Sequence, residues 1–166
     1  QQKYSAASVV DYCTGVLSQT QIERSTVVQA SPAHVYGFLA SNKGFQDFSP
    51  YKDADPNLKI TLSGPEHGVG SSFAFEGKDG KGTQTIVALD QNRSVTMQID
   101  LGSMGTPVQT FNLIPGAGST TVVWQVQASF SMNPVKRVFG LFMDSMMVST
   151  IERGLSNLSR VANQAA

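Results

Sequence analysis

Few side chains in this sequence are of the types that catalyse reactions or bind metals. The chain has two histidines, His34 and His67, and one cysteine, Cys13. His34 follows a Ser-Pro helix start and His67 lies in the Gly/Pro-rich turn 64–70, so we expect both at the surface rather than acting as a general base. Two histidines do not complete a metal site, and a lone cysteine forms no internal disulfide. We therefore expect no metal and no cofactor.

Three polar side chains are candidates for catalysis: Tyr36, Asp47 and Tyr51. A tyrosine hydroxyl that points into a cavity could donate a proton or orient a carbonyl group, and Asp47 could act as a base beside it. In a protein that only binds its ligand, the same groups would form hydrogen bonds with that ligand. The sequence therefore leaves open whether the protein is an enzyme.

Two further charged residues are expected to lie away from any site. Glu76 follows Phe75, so the alternation of a strand places it on the opposite, solvated face. Arg153 should pair at the surface with Glu152 or with a neighbouring strand. The sequence also lacks the HExxH, nucleophile-elbow and dinucleotide-loop motifs, and the glycine pairs at 68–70 and 116–118 are predicted to be hairpin turns.

The stretch FQDFSPYKDADPN, residues 45–57, combines the composition of a loop with three large rings. Phe45, Phe48 and Tyr51 recur every three residues along it. These rings either close a hydrophobic core or line the mouth of a ligand site, and the aspartates between them are expected in water.

Length and composition favour one domain without a nucleic-acid or membrane partner. The 166 residues include 12 basic and 12 acidic side chains, which are scattered along the chain. No apolar run approaches the roughly 18–20 residues that would span a bilayer. We favour the cytoplasm, with which a lone cysteine is compatible, and keep export as an alternative because the chain begins at Gln1 rather than Met.

The elements that must position these side chains are read from hydrophobic periodicity. Residues 1–21 are expected to be an N-terminal extension and residues 22–165 a single domain. A strand is predicted from Ile22 to Gln29, a helix starts at Ser31-Pro32, and period-two strands follow through the middle of the chain. After Pro134 a long helix is predicted from a stripe of apolar residues: Met143, Met147, Ile151, Leu155, Leu158 and Ala162.

A sheet with one apolar face needs a cover, and the C-terminal helix is the only predicted element long enough to provide it. Space between a curved sheet and this helix would form an apolar cavity. Methionines at positions 132, 143, 146 and 147 suit such a lining because their side chains adapt to differently shaped neighbours, although they would equally serve as core.

Several segments resemble the START-like, or helix-grip, superfamily, and in particular its polyketide cyclase/dehydrase-like (SRPBCC) branch. They include IERSTVVQASPAHVYGFLA, FQDFSPYKDADPN, GPEHGVGSSFAFEG, PVQTFNLIPGAGSTTVVWQVQ and IERGLSNLSRVA, and together they span residues 22–162. The resemblance implies an α+β fold in which a curved antiparallel sheet wraps around a long C-terminal helix, with two short helices after the first strand. It places the 45–57 loop at the cavity mouth.

The resemblance implies a cavity for a small hydrophobic ligand such as a lipid, a polyketide or an aromatic compound. The ligand-binding residues expected from it are Phe48, Tyr51, Phe73, Phe75, Met97, Phe111, Trp124, Met143, Met147 and Ile151. Two alternatives remain: a polyketide-type cyclase, dehydrase or aromatase that needs no cofactor, and a protein-interaction module with a filled core. The sequence does not specify the ligand or the oligomeric state.

Overall fold

One antiparallel sheet and four α-helices make up the part of the chain that the computed structural model describes, residues 18–78, 80–130 and 134–164. The side chains of residues 18–20, 104, 129–130, 134–147 and 164 are not described. The strands are β1 (Ser18–Val28), β2 (Lys59–Ser63), β3 (Ser72–Gly77), β4 (Gly80–Asp90), β5 (Ser94–Asp100), β6 (Val108–Pro115) and β7 (Thr120–Phe130). The helices are α1 (Pro32–Leu39), α2 (Asn42–Phe48), α3 (Pro50–Ala54) and α4 (Pro134–Gln164). A short 3-10 turn, Gly102–Met104, joins β5 to β6.

The sheet order is β1-β7-β6-β5-β4-β3-β2, so β2 to β7 form a meander, and the last strand, β7, also pairs with the first strand, β1. This confirms the predicted architecture. The pairing of β1 with β7 runs from Ser18 opposite Phe130 to Val28 opposite Thr120. The first strand therefore begins four residues before the start predicted from the β-branched run after Ile22.

Helix α1 begins where the Ser-Pro pair predicts. Ser31 is its N-cap, the Ser31 hydroxyl accepts a hydrogen bond from the His34 backbone N–H, and Pro32 occupies the first turn. Thr120 fixes the approach to this helix by donating its hydroxyl proton to the Ala30 carbonyl, 2.8 Å away. The start of α1 thereby lies against the end of the sheet where β7 begins.

The stretch 45–57 was expected to be a loop, and that expectation was wrong. Phe45 and Phe48 lie in α2, and Tyr51 lies in α3, which begins at Pro50. The three-residue spacing of Phe45 and Phe48 is close to the period of a helix, so it turns these two rings toward the same side, whereas Tyr51 lies beyond the break between α2 and α3. Phe45 and Phe48 are buried, as a core role requires, and Tyr51 is half-buried.

The two ends of the sheet differ, and each is named here by the helix that marks it. The α1 end carries the turns β2–β3, β4–β5 and β6–β7. The α3 end carries the turns β3–β4 and β5–β6, together with the end of β7 that leads to α4. Helix α3 is tied to this second end because the Asp55 carboxylate accepts a hydrogen bond from the backbone N–H of Lys78, 3.0 Å away in the β3–β4 turn.

Helix α4 crosses the concave face of the sheet and packs closely against β7 at one point. A Cβ atom on Gly154 would lie 2.5 Å from Cζ3 of Trp124 and 3.3 Å from Cδ of Pro50. Glycine is therefore required where α4, α3 and the Trp124 ring meet. No helix in the described ranges is long and apolar enough to cross a membrane.

Candidate functional site

A continuous chain of side-chain amides lies on the concave face of the sheet, at its centre. Trp124 Nε1 donates to Gln109 Oε1 (3.2 Å), and Gln109 Nε2 donates to Gln84 Oε1 (2.8 Å). Gln84 Nε2 donates to Asn42 Oδ1 (3.2 Å), and Asn42 Nδ2 donates to the Ser71 carbonyl (2.6 Å). An indole can only donate and a carbonyl can only accept, so the two ends fix the orientation of every amide between them.

These amides are structural rather than free to bind a ligand. Gln84 and Gln109 have at most 1% of their surface exposed, and both amide nitrogens also approach the sulfur of Met97, at 3.0 and 3.4 Å. Because each polar atom of the chain has a partner, the chain fastens the start of α2 to strands β4, β6 and β7. This network was not predicted from the sequence, although Gln84 and Gln109 stand at inward positions of strands that are otherwise apolar.

Six of the predicted ligand-binding residues form a tightly packed region near this network. Each has at most 3% of its surface exposed: Phe48, Phe73, Met97, Phe111, Trp124 and Ile151. The rings of Phe111 and Trp124 have centroids 4.6 Å apart, and Phe48 meets Phe111 edge-on at 6.2 Å. A side chain without exposed surface touches no space large enough for a water molecule, so these residues contact protein.

Burial decreases along the concave face toward the α3 end. Val126, Ile99 and Ile22 retain 5–8% exposure, and Phe75 and Leu101 are half-buried. The register places Phe75 opposite Gly82, beside Ile60 of the edge strand β2. This surface remains apolar while it becomes accessible, which is the combination that a site for an apolar ligand needs.

The ring of Phe75 lies across Gly82. A Cβ atom at position 82 would be 2.7 Å from Phe75 Cζ and 3.1 Å from Leu101 Cδ2, so glycine at this position leaves the space that the ring occupies. We call this surface, formed by Ile60, Phe75, Gly82 and Leu101, the apolar shelf. It lies at the same end of the sheet as the start of α4.

Helix α3 is held at the same end of the sheet as the apolar shelf because Asp55 fastens it to the β3–β4 turn. The two Asp55 carboxylate oxygens accept hydrogen bonds from the backbone N–H groups of Lys78 and Asn57, each 3.0 Å away. The bond from Lys78 is the main reason that the pKa of Asp55 is lowered, because it favours the ionised carboxyl group. This aspartate was expected in water, and it is instead a buried structural link. An open polar cleft of about 340 Å³ surrounds the link on the outside of the protein.

Tyr51 lies one helical turn before Asp55, whose backbone N–H donates to the Tyr51 carbonyl. Burial raises the pKa of Tyr51 to about 12, yet the residue is only half-buried. The Tyr51 side chain packs against the core on one side and is open to solvent on the other, and we call this partly open position the crevice. Its hydroxyl makes no hydrogen bond to the described part of the chain and is not among the buried polar atoms left without a partner.

The other catalytic candidates are not brought to this crevice. Tyr36 lies on α1, at the other end of the sheet, and Asp47 is exposed on α2. Glu76 is exposed, as predicted from its place after Phe75. The side chains of Met143 and Met147, which were predicted to line the cavity, lie outside the described residues.

The two histidines also lie away from the crevice. His67 is exposed near Glu66, as expected. His34 was expected to be exposed and is half-buried, because its ring packs edge-on against Phe38 with centroids 5.5 Å apart. Its Nε2 atom is buried without a hydrogen-bond partner. Among the described residues, no group of three metal-ligating side chains could hold a metal ion.

An ion pair that was not predicted from the sequence joins the sheet to α4. Arg24 Nε lies 3.4 Å from Glu152 Oε1, and the Arg24 side chain has 13% of its surface exposed. Arg24 stands opposite Trp124 in the register, so the pair lies on the concave side. Glu152 was proposed as a partner for Arg153, which is exposed.

Comparison with known proteins agrees with the architecture. A family model described as polyketide cyclase / dehydrase and lipid transport matches residues 19–163. Among curated proteins, none matches closely enough to count as a relative.

Solved structures with the same fold come from plants and bacteria. Norcoclaurine synthase from Thalictrum flavum, in complex with dopamine and hydroxybenzaldehyde, superposes with a TM-score of 0.69 at 14% identity, covering 97% of this chain and 99% of that one. A point mutant of this synthase with a transition-state analogue gives 0.70 at 15% identity, covering 90% and 97%. The protein TTHA0849 from Thermus thermophilus gives 0.67 at 14% identity, covering 88% and 99%. At these identities the likeness shows the fold alone.

Proposed function

Because the chain belongs to the polyketide cyclase / dehydrase and lipid transport family, we propose that it binds a hydrophobic small molecule between its sheet and α4. The site is at the α3 end, on the apolar shelf. The main support for this proposal is the difference in solvent exposure along one face of the sheet. Phe111 and Trp124 are completely buried, whereas Phe75 and Leu101 are accessible and still apolar. Burial of apolar ligand surface there would drive binding at about 25 cal/mol per Å² before ordering costs.

The distribution of polar groups supports binding more than turnover. General acid–base catalysis needs a titratable group within hydrogen-bond reach of the reacting atoms. Within the described ranges, the amides of the concave face are bonded to one another, and Asp47 and Glu76 are exposed away from it. Tyr51, which lies on α3 at the same end of the sheet as the shelf, has a hydroxyl without a hydrogen-bond partner among the described residues.

A second candidate function is protein interaction. The closely packed region around Trp124 and Phe111 favours it, because a filled core leaves less room for a ligand. Val27 and Ile114, both about half exposed at 51% and 54%, flank Thr121 on the opposite face of the sheet. Ligand binding and protein interaction are separated by the experiment that follows.

The first prediction concerns Phe75. Titration with N-phenyl-1-naphthylamine, a neutral apolar dye that fluoresces when it leaves water, should show saturable binding to the wild-type protein. Phe75→Glu places a charge on the apolar shelf, and we expect it to weaken binding at least about tenfold, since desolvating a carboxylate costs several kcal/mol.

Val27→Glu is the matched control, because it makes the same change at an exposed position on the other face. Circular dichroism must show that both variants stay folded. A folded Phe75→Glu protein that binds the dye like wild type would remove the shelf as the site. A wild-type protein that does not bind the dye would favour protein interaction.

A further inference from the structure

Tyr51 is held in place by contacts on both sides of its short helix. On one side, Asp55 ties the end of α3 to the β3–β4 turn. On the other, Asn157 of α4 donates through Nδ2 to the Phe48 carbonyl at 3.3 Å and to Asp53 Oδ2 at 2.9 Å. Tyr51 lies between these attachments, so its backbone position is fixed before any ligand arrives. Groups that are ordered in advance lose little entropy when they bind.

The Tyr51 hydroxyl is unused by the described protein, although its ring packs against the core. The polar groups described at the end of α3 have partners of their own: Asp55 accepts from Lys78 and Asn57, and the Lys78 amine donates to the Ala54 carbonyl. A partly buried hydroxyl without a partner in the described protein gains most from a partner that comes with the ligand.

We propose that the Tyr51 hydroxyl donates a hydrogen bond to an oxygen atom of the bound molecule. The site would then select neutral, apolar ligands that carry a carbonyl or ether oxygen over hydrocarbons of the same shape. This inference rests on the proposed function and adds a specificity-determining residue to it.

Two further observations limit the ligand to neutral molecules. The raised pKa of Tyr51, about 12, keeps the phenol protonated and therefore a donor. An anionic ligand would need a cation beside the shelf. Among the described cations, Arg24 pairs with Glu152, and the Lys78 amine contacts the Ala54 carbonyl. Lys59 and Lys81 lie at exposed strand positions that alternate with the shelf residues and therefore face the other way. A buried anion without such a partner is strongly disfavoured.

The test compares two probes that differ in one group, 2-acetylnaphthalene and 2-ethylnaphthalene, as competitors for bound N-phenyl-1-naphthylamine. The wild-type protein should bind the ketone about 3- to 10-fold more tightly, which is the range expected for one net hydrogen bond. In Tyr51→Phe, which keeps the ring, the two compounds should bind equally, and the affinity for the hydrocarbon should not change.

Tyr36→Phe is the control, because it removes the same atom from a half-buried tyrosine at the other end of the sheet. It should keep the preference for the ketone. A preference that survives in Tyr51→Phe, or equal binding of the two compounds by wild type, overturns this inference while the proposed function stands. Failure of the dye and both compounds to bind wild type overturns the two together.

Discussion

At the scale of the residue, single atoms decide where the helices and the sheet meet. The backbone of α4 approaches Trp124 so closely at Gly154 that a methyl group would lie 2.5 Å from the indole ring. Gly82 serves the ring of Phe75 in the same way. These glycines are required by close approach to an aromatic ring, and neither is needed for a turn.

Gly154→Ala should therefore destabilise the protein, although alanine is the better helix former. We expect the free energy of unfolding to fall by up to about 2 kcal/mol, because overpacking costs about 1–3 kcal/mol and the better helix propensity of alanine offsets about 1 kcal/mol of this. Urea unfolding followed by circular dichroism measures this change.

Gly37→Ala is the comparison, since a Cβ atom on Gly37 of α1 meets nothing within 4 Å. It should stabilise the protein by about 0.4–1 kcal/mol. If the two alanine variants have equal stability, the close contact between α4 and Trp124 is wrong.

At the scale of the element, the amide chain makes α2 and the sheet one unit. The strands β4, β6 and β7 do not specify by themselves where a seven-residue helix should pack on them. The bond between Gln84 and Asn42, together with those from Asn42 to Ser71, fixes the start of α2 above β4. From there the helix points Phe45 and Phe48 into the core.

Replacing one side chain of the amide chain should lower the free energy of unfolding. Gln109→Leu leaves Trp124 Nε1 and Gln84 Oε1 buried without their partners, and each unsatisfied group costs about 1–3 kcal/mol. Gln98→Leu, an exposed change on the neighbouring strand β5, should stay within about 0.5 kcal/mol of wild type. Chemical unfolding of both variants gives the comparison, and equal stabilities would show that the amide bonds contribute nothing.

The sequence predicted most of these elements and few of the links between them. Period-two patterning identified the meander, and Ser31-Pro32 identified the start of α1, because such signals are local. Two short helices after the first strand were predicted, but the full extent of α2 and the third short helix, α3, were missed because the prolines and aspartates of 45–57 suggested a loop. The contacts of Asp55 with Lys78, of Gln84 with Asn42 and of Arg24 with Glu152 join residues that lie 23 or more positions apart in the chain, so no local pattern reports them.

At the scale of the whole molecule, the concave face of the sheet is continuous but differs in packing and solvent exposure between two regions. The region around Trp124 is closely packed, and the α3 end is apolar and accessible. The alternation of apolar residues is the same in both, so the sequence predicted one long ligand-binding surface. The two regions differ because α2 and α4 cover the concave face unequally, and this coverage depends on three-dimensional packing.

Hydrogen exchange should reveal this division. Addition of N-phenyl-1-naphthylamine should slow exchange of backbone amides in residues 80–84 and 99–101, beside the shelf. Amides around Val95 and Val122, which are completely buried, should change little beyond any global stabilisation. Strong, selective protection around Val95 and Val122 would place the ligand in the closely packed region and contradict the assignment.

The amide chain also constrains how this interior can change over time. Its direction is set by an indole that only donates and a carbonyl that only accepts, so each member fits only beside its present neighbours. Replacing one member leaves the next member without a hydrogen-bond partner. Replacing Asn42, Gln84, Gln109 and Trp124 together by apolar side chains of similar shape leaves no polar side-chain atom without a partner. Sequences midway between these two interiors are less stable than either. Substitutions at the four positions should therefore be inherited as a set.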